Sequence, residues 1–353
     1  MNEKMHEKQI DRISALVSDL FLVDAYYIRG HQWTLSLRYR YDADHTVALL
    51  EERLKLAGYT FTIDPSEDML TLTVDSRRRL YIPRLNILLF AATVLTVYLV
   101  PALSFGWDLA GGGGLLFTFA LMSILLVHEM GHYIASRRRG IVTSFPYFIP
   151  APNFIGTFGA IIKTKSPFWN RRDLLEVGAA GPIAGWIVAL FWLIYGLSTA
   201  VGTVATDPPA DTEGMIIFGE SLLIKLLEPI FMAPMEPGTT VAITEPLLAG
   251  WVGLLVTALN MLPIGQLDGG HVAYGLAPRK QVWLARLGMV GLAALGYWYP
   301  MWWLFAGLGF YMGLSHPPTL DDSRAPSRTA LIMGWVSLVI LVLSFTPVPL
   351  RFL

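Results

Sequence analysis

Residues 121–140 read LMSILLVHEMGHYIASRRRG, an apolar run of membrane-spanning length that holds two histidines and a glutamate and stops at three arginines. Hydrocarbon solvates neither an imidazole nor a carboxylate, so ionisable groups at that depth need a cavity, a partner or a metal, and they usually mark function. His128, Glu129 and His132 form an HExxH pattern. Four residues are about one helical turn, so both imidazoles project from the same face as two candidate metal ligands, and Glu129 beside them is a candidate general base. The bland alternative is an ordinary helix whose histidines happen to meet a neighbour. Inside an apolar span it leaves two imidazoles and a carboxylate uncompensated.

Composition agrees with a membrane setting. Of 353 residues 54% are hydrophobic and only 15% charged, and the mean hydropathy is +0.51. A soluble domain carries about 25% charged residues, so the chain is expected to be an all-α polytopic membrane protein with one modest soluble part. The net charge of -1 gives no hint of nucleic acid. With no cysteine, any metal must be held by His, Asp or Glu. Residues 1–80 contain no apolar leader, so no cleavable signal peptide is expected.

Residues 1–80 read as a small α+β domain. Ile10, Ile13, Leu16, Val17 and Leu20 recur at helical spacing over 6–22; strands are expected at 26–28 and 33–41 around Gly30 and at 59–63 and 69–74, with a second helix from 43 or 44 to 56, ended by Gly58. This unit is either a regulatory or substrate-recruiting module or a solubilising cap. Residues 84–348 read as the membrane-embedded domain, with about six spans at 85–103, 115–136, 174–201, 246–262, 287–314 and 331–345. The aromatic cluster Tyr297, Trp298 and Tyr299 with Pro300 leaves a second reading of 287–314, a re-entrant pair of helices. Arg77, Arg78, Arg79 and Arg84 precede the first span, and Arg137, Arg138 and Arg139 follow the second, which places the N-terminal domain and the active-site opening in the cytoplasm. The loop at 141–173 carries Lys163, Lys165, Arg171 and Arg172, yet much of it is apolar and punctuated by Gly and Pro, which suggests strands dipping into the membrane interface beside the site. Segment 202–245 holds Asp207, Asp211, Glu213, Glu220, Glu228, Glu236 and Glu245 against Lys225 alone, a balance that fits the outer face, with an amphipathic helix at 220–232.

Two histidines leave a catalytic zinc one protein ligand short, the last position belonging to water. Asp268 is the candidate: it is the only acid between Glu245 and Asp321 and is followed by Gly269 and Gly270. Depth supports the pairing, because nine residues from His128 to Arg137 make about 13 Å of helix and eleven from Asp268 to Arg279 about 16 Å. His271 is a donor behind the ligands, an alternative ligand, or a polar residue facing a wet vestibule. Asn260 either orients a substrate carbonyl or oxyanion or caps the helix end. Gly156 and Gly159 fit a strand edge approached by another backbone, where a substrate strand can add; turn glycines are the plainer reading.

HEMGH at 128–132, GPIAG at 181–185 and NMLPIGQLDGG at 260–270, in that order, resemble the site-2 protease family of intramembrane zinc metalloproteases over residues 87–276. The resemblance implies Zn²⁺ bound by His128, His132 and Asp268, Glu129 as the catalytic residue and Asn260 as a second site residue. It also implies a transmembrane protein substrate in membrane lipid, cut after trimming by an upstream site-1-type protease, in regulated intramembrane proteolysis. Many relatives carry a PDZ domain between the catalytic spans, for which the 44 residues of 202–245 are too few; substrate screening then falls to the N-terminal domain. A zinc transporter or channel is the alternative function, and it would favour several ligand sets along a path. An inert scaffold for transmembrane helices is a third reading, opposed by the intact Glu129.

Overall fold

The computed structural model describes residues 13–14, 16–29, 31–66, 68–75, 82–200, 202–204, 216–234 and 239–352. Ile10, Gly30, Arg77, Arg78, Arg79, Asp207, Asp211, Glu213 and Glu236, used above, lie outside them.

The N-terminal part is a four-stranded antiparallel sheet of order β1-β2-β4-β3, made of β1 (Phe21–Arg29), β2 (Gln32–Tyr39), β3 (Thr60–Pro65) and β4 (Met69–Asp75), with helix α1 (Ala43–Ala57) joining β2 to β3. Alternation sets its inner face: the register pairs Trp33 with Val74, Leu35 with Leu72 and Leu37 with Leu70, all buried against Leu50 and Leu54 of α1 and against Ile13, Leu16 and Val17. Asp42 caps α1, its carboxylate accepting from the His45 N–H, and Gly58 ends it at φ 78°, a backbone angle glycine adopts without penalty. The helical periodicity expected through residue 22 stops sooner. Phe21 pairs with Tyr39 and already belongs to β1, because strand pairing and burial outweigh a local helical pattern.

This sheet unit rests on the helical part. Arg137 donates to the carbonyls of Leu56 and Ala57 at the end of α1, at 3.3 and 2.9 Å, Lys165 pairs with Glu52 at 2.8 Å, and Val142 is buried in the N-terminal core.

Among the described residues, three helices are long and apolar enough to cross a membrane: α2 (Arg84–Phe105), α3 (Leu115–Arg139) and α4 (Arg171–Ser198). The hairpin β5 (Tyr147–Pro150) and β6 (Thr157–Ile161) occupies the loop between α3 and α4, as its composition suggested. Asn86 of α2 donates to the carbonyls of Phe145 and Pro146, and Thr96 donates to that of Gly156 at 2.7 Å. Gly156, at φ 83°, packs its backbone on α2 so closely that a Cβ would lie 2.5 Å from the Val97 Cα, whereas Gly159 faces open space. Helix α4 starts at Arg171, three residues before the expected span, since Asn170 caps it through the Asp173 N–H at 3.0 Å. The added turn brings Glu176 and Asp173 to Arg139 at the end of α3.

Shorter elements complete the chain: strands β7 (Gly202–Val204), β8 (Ile216–Phe218) and β9 (Thr239–Val241), and helices α5 (Leu222–Phe231), α6 (Glu245–Asn260), α7 (Asp268–Leu276), α8 (Gln281–Leu295), α9 (Met301–Met312) and α10 (Arg328–Ser344). Helix α5, capped by Ser221, matches the expected amphipathic helix. The stretch at 287–314 is not one span. It is the pair α8 and α9, broken at 296–300, and Gln281 at its start donates to the Leu314 carbonyl at its end, 2.9 Å away, so the pair leaves and returns on one side. The first helix ends at Leu295, and Pro300 precedes the second, where its missing N–H leaves no helical bond unmade. After α10 a last strand, β10 (Leu350–Phe352), pairs with β8, a long-range contact with no local sequence signal.

The N-terminal end of α3 is held by a residue far away in the chain. Gly114 begins α3 without a side-chain cap of its own; instead the Glu245 carboxylate, from the start of α6, accepts the N–H groups of Gly114 at 3.0 Å and Phe117 at 2.8 Å. A carboxylate at a helix N-terminus satisfies orphan donors and meets the positive end of the helix dipole. Replacing Glu245 with Ala leaves both N–H groups without it, and should lower unfolding stability in detergent by about 1–3 kcal/mol. Glu245→Gln, which keeps one acceptor, should lose less, as measured by denaturant titration of the purified protein.

Candidate active site

HExxH lies in the middle of α3, and His128, Glu129 and His132 are all buried. Helical spacing puts the two imidazoles side by side, their Nε2 atoms 3.3 Å apart. The third group comes from the break that Pro263 and Gly265 make after α6. Residues 261–267 turn without helix, Gly265 at φ 52°, and Asp268 opens α7. Its Oδ2 lies 3.3 Å from His128 Nε2 and 3.2 Å from His132 Nε2. Gly269 and Gly270 permit this turn, since a Cβ on either would run into the carbonyls of Met261 or Gly265.

Hydrogen bonding determines what these atoms present. His132 Nδ1 lies 2.8 Å from the Val177 carbonyl oxygen, which can only accept, so Nδ1 carries the proton and Nε2 of the neutral ring offers a lone pair. Lone pairs and a carboxylate then converge on one point, an arrangement that a cation stabilises. Tetrahedral zinc with bonds of about 2.0–2.1 Å keeps its ligand atoms about 3.3–3.4 Å apart, and the three observed separations of 3.2–3.3 Å fit that donor set. Among the described residues, His128, His132 and Asp268 form the one group of this kind, with ligand atoms within 4.8 Å of one another. His271 stands outside it.

Helix α4 presses on the ligands from behind. A Cβ on Gly181 would overlap the His132 ring, one on Gly185 would lie 2.8 Å from His128 Cβ, and one on Gly178 2.7 Å from His271 Cβ. What packs closely against these glycines of α4 is the ligand set and its neighbour His271.

Glu129 and the three ligands line a cavity of about 160 Å³ with Asn260, Gln266 and His271. The structure thus brings together Glu129, His128, His132, Asp268 and Asn260. Asn260 is the last residue of α6 and borders the cavity. Sequence reasoning missed Val177, whose contribution is a backbone carbonyl, Phe168, which lines the cavity from a loop, and His316, which meets His271 from another loop. A second cavity of about 640 Å³ adjoins the first, shares Phe168, Gln266 and His271 with it, and extends to Arg53 of the N-terminal sheet unit.

The glycine contact yields a direct test. Gly181→Ala places a methyl group in the His132 ring and must tilt the ligand, so zinc affinity should fall about 10–100-fold. Competition with a chelating dye measures it on the purified protein.

Comparison with known proteins agrees with this geometry. The model of peptidase family M50 matches residues 116–294, which hold α3, both α4 and α6, and Asp268. The chain is 32% identical over 238 residues to the "Probable zinc metalloprotease EGY2, chloroplastic" of Oryza sativa subsp. indica, covering 65% of this chain and 42% of that protein. It is 30% identical over 237 residues to the Arabidopsis thaliana protein of the same name, covering 65% and 41%, and 30% identical over 237 residues to "Probable zinc metalloprotease EGY1, chloroplastic" of Arabidopsis thaliana, covering 65% and 42%. The matched region therefore spans less than half the length of these curated relatives. No solved structure matches the chain. With its HExxH helix, its Asp268 and the glycines between them all inside the matched region, the chain belongs to peptidase family M50.

Proposed function

We propose that the protein is an intramembrane zinc metalloendopeptidase that hydrolyses a peptide bond in or near a transmembrane helix of a membrane-anchored substrate. The observation that carries this reading is the convergence of His128 Nε2, His132 Nε2 and Asp268 Oδ2 within 3.3 Å of one another, beside buried Glu129, on a helix long and apolar enough to cross a membrane. These three residues would hold the zinc. When bound there, zinc makes a water acidic and draws electron density from a peptide carbonyl. Glu129 takes the proton from the attacking water and passes it to the amine as the C–N bond breaks, leaving a carboxylate and an amine. The Asn260 amide is placed to donate to the carbonyl oxygen as negative charge develops on it. A single ligand set among the described residues, paired with an acid suited to base catalysis, favours hydrolysis over zinc transport.

A substrate helix must unwind to expose the bond, and the hairpin β5–β6, beside the cavity with Phe158 and Ile161 exposed on its second strand, offers an edge for strand addition. In this reading the unit at 1–80 is cytoplasmic and screens substrates after an upstream protease has trimmed them; its contacts with Arg137 and Lys165, at the two ends of the segment that enters the site, support that role. Residues 84–348 form the membrane domain. In this reading α2, α3, α4, α6 with α7, and α10 cross the membrane, five spans in place of the six expected, because the α8–α9 hairpin returns to the side it left.

Glu129→Gln keeps all three ligands and removes the base. It should retain stoichiometric zinc and lose about 10²–10⁴-fold in cleavage of a single-span reporter in detergent. Unchanged cleavage would refute the assignment, and zinc flux into proteoliposomes that survived the substitution would favour a transporter.

A further inference from the structure

The loop between α9 and α10 is tied to the catalytic region by a set of polar contacts that the hydrolytic reading does not use. His316 N–H donates to Gln281 Oε1 at 3.1 Å, Leu320 N–H donates to the Phe168 carbonyl at 3.0 Å, and Tyr274 OH donates to Asp322 at 2.5 Å. Together they strap α7, the helix that begins with Asp268, to the segment leading into α4. The imidazole of His316 points inward from this strap, and it is buried.

Two short contacts fix the protons along the strap. His316 Nδ1 lies 2.6 Å from the Pro317 carbonyl oxygen, so Nδ1 carries a hydrogen. Burial pushes the His316 imidazole below its ordinary pKa, which keeps the ring neutral and its Nε2 unprotonated. His271 Nδ1 lies 2.6 Å from that Nε2 and must be the donor. The remaining nitrogen, His271 Nε2, is then a lone-pair acceptor, and it has no hydrogen-bond partner among the described residues. His271 is one turn beyond Asp268 on α7, is only partly buried, and borders both the cavity with the ligands and the adjoining one.

We propose that His271 is a substrate-positioning residue, its Nε2 accepting a backbone N–H of the peptide next to the scissile bond, and that His316 holds it in the tautomer that can do so. The inference rests on the protease reading. A peptide unwound for cleavage exposes N–H donors, and in this cavity a neutral acceptor satisfies one without adding charge beside the ligands. The Phe168 ring, 5.6 Å from that of His271, limits how far the imidazole can turn.

The test uses the full chain in lipid nanodiscs, loaded with zinc and carrying Glu129→Gln so that a peptide binds without turnover. The probe is a fluorescent synthetic single-span peptide from the cleaved reporter, and binding is read by anisotropy. Adding His271→Ala or His316→Phe should weaken binding about tenfold with zinc stoichiometry unchanged. His316→Gln, which restores an acceptor, should recover most of the loss. ¹⁵N-histidine solid-state spectra of the peptide-free protein should show His271 as the Nδ1–H tautomer, converted to a mixture by His316→Phe. Equal binding by His271→Ala, loss of zinc in that variant, or an Nε2–H tautomer of His271 in the unsubstituted strap would overturn the proposal. A Glu129→Gln parent that binds no peptide would overturn the protease reading, and the positioning role with it.

Discussion

Three electron-pair donors converge in the interior of this protein: Nε2 of His128, Nε2 of His132 and Oδ2 of Asp268, 3.2–3.3 Å apart. Such a cluster repels itself unless a cation lies among its members, and in an apolar helical interior no bulk water relieves the repulsion. The rest of the helical architecture serves that constraint. Val177 commits one imidazole to the right tautomer, and the glycines of α4 bring a backbone against both rings, where any larger residue would push them out of line. The strap carrying His316 extends the same logic to His271, one turn beyond Asp268.

The carboxylate cannot come from α3, and a continuous α6 would carry its polar groups past the site. The chain solves this with a break: residues 261–267 leave the helix and Asp268 restarts it. Irregular backbone in the middle of an apolar bundle is tolerated only where other protein groups satisfy or enclose it. Here the carbonyl of Met261 and that of Gly265 pack directly on Gly269 and Gly270. The Glu245 cap locks the far end of α6 to α3, so the broken helix and the HExxH helix share a common frame.

Much of this was legible in the residues. An ionisable pattern inside an apolar run marks a site because both halves of the signal are local: the periodicity of α3 aligns His128 with His132, and the apolar flanks set their depth. Asp268 was legible by scarcity, as the only acid in a long apolar stretch, with glycines that fit a tight turn. The helix end at Gly58 and the strands at 33–41 and 69–74 were readable for the same reason, since each depends on residues within a turn or two. The α8–α9 pair was left open, because whether a run of spanning length crosses or folds back depends on what its ends meet. Gln281 and Leu314 settle that through a contact 33 residues apart in the chain. The start of β1 at Phe21 was misplaced, because its partner Tyr39 lies on another strand.

By itself, the sequence determined the membrane character of the chain, the helix that carries HExxH, and the candidate donors His128, His132 and Asp268, because hydrophobic period, residue type and spacing are properties of short segments. Only the tertiary structure decided that those donors meet at ligand distance, that Gly181 and Gly185 lie against them, and that His316, from a loop with no motif, reaches His271. Those facts depend on how separate helices pack, and packing is set by contacts between residues that the linear order keeps far apart.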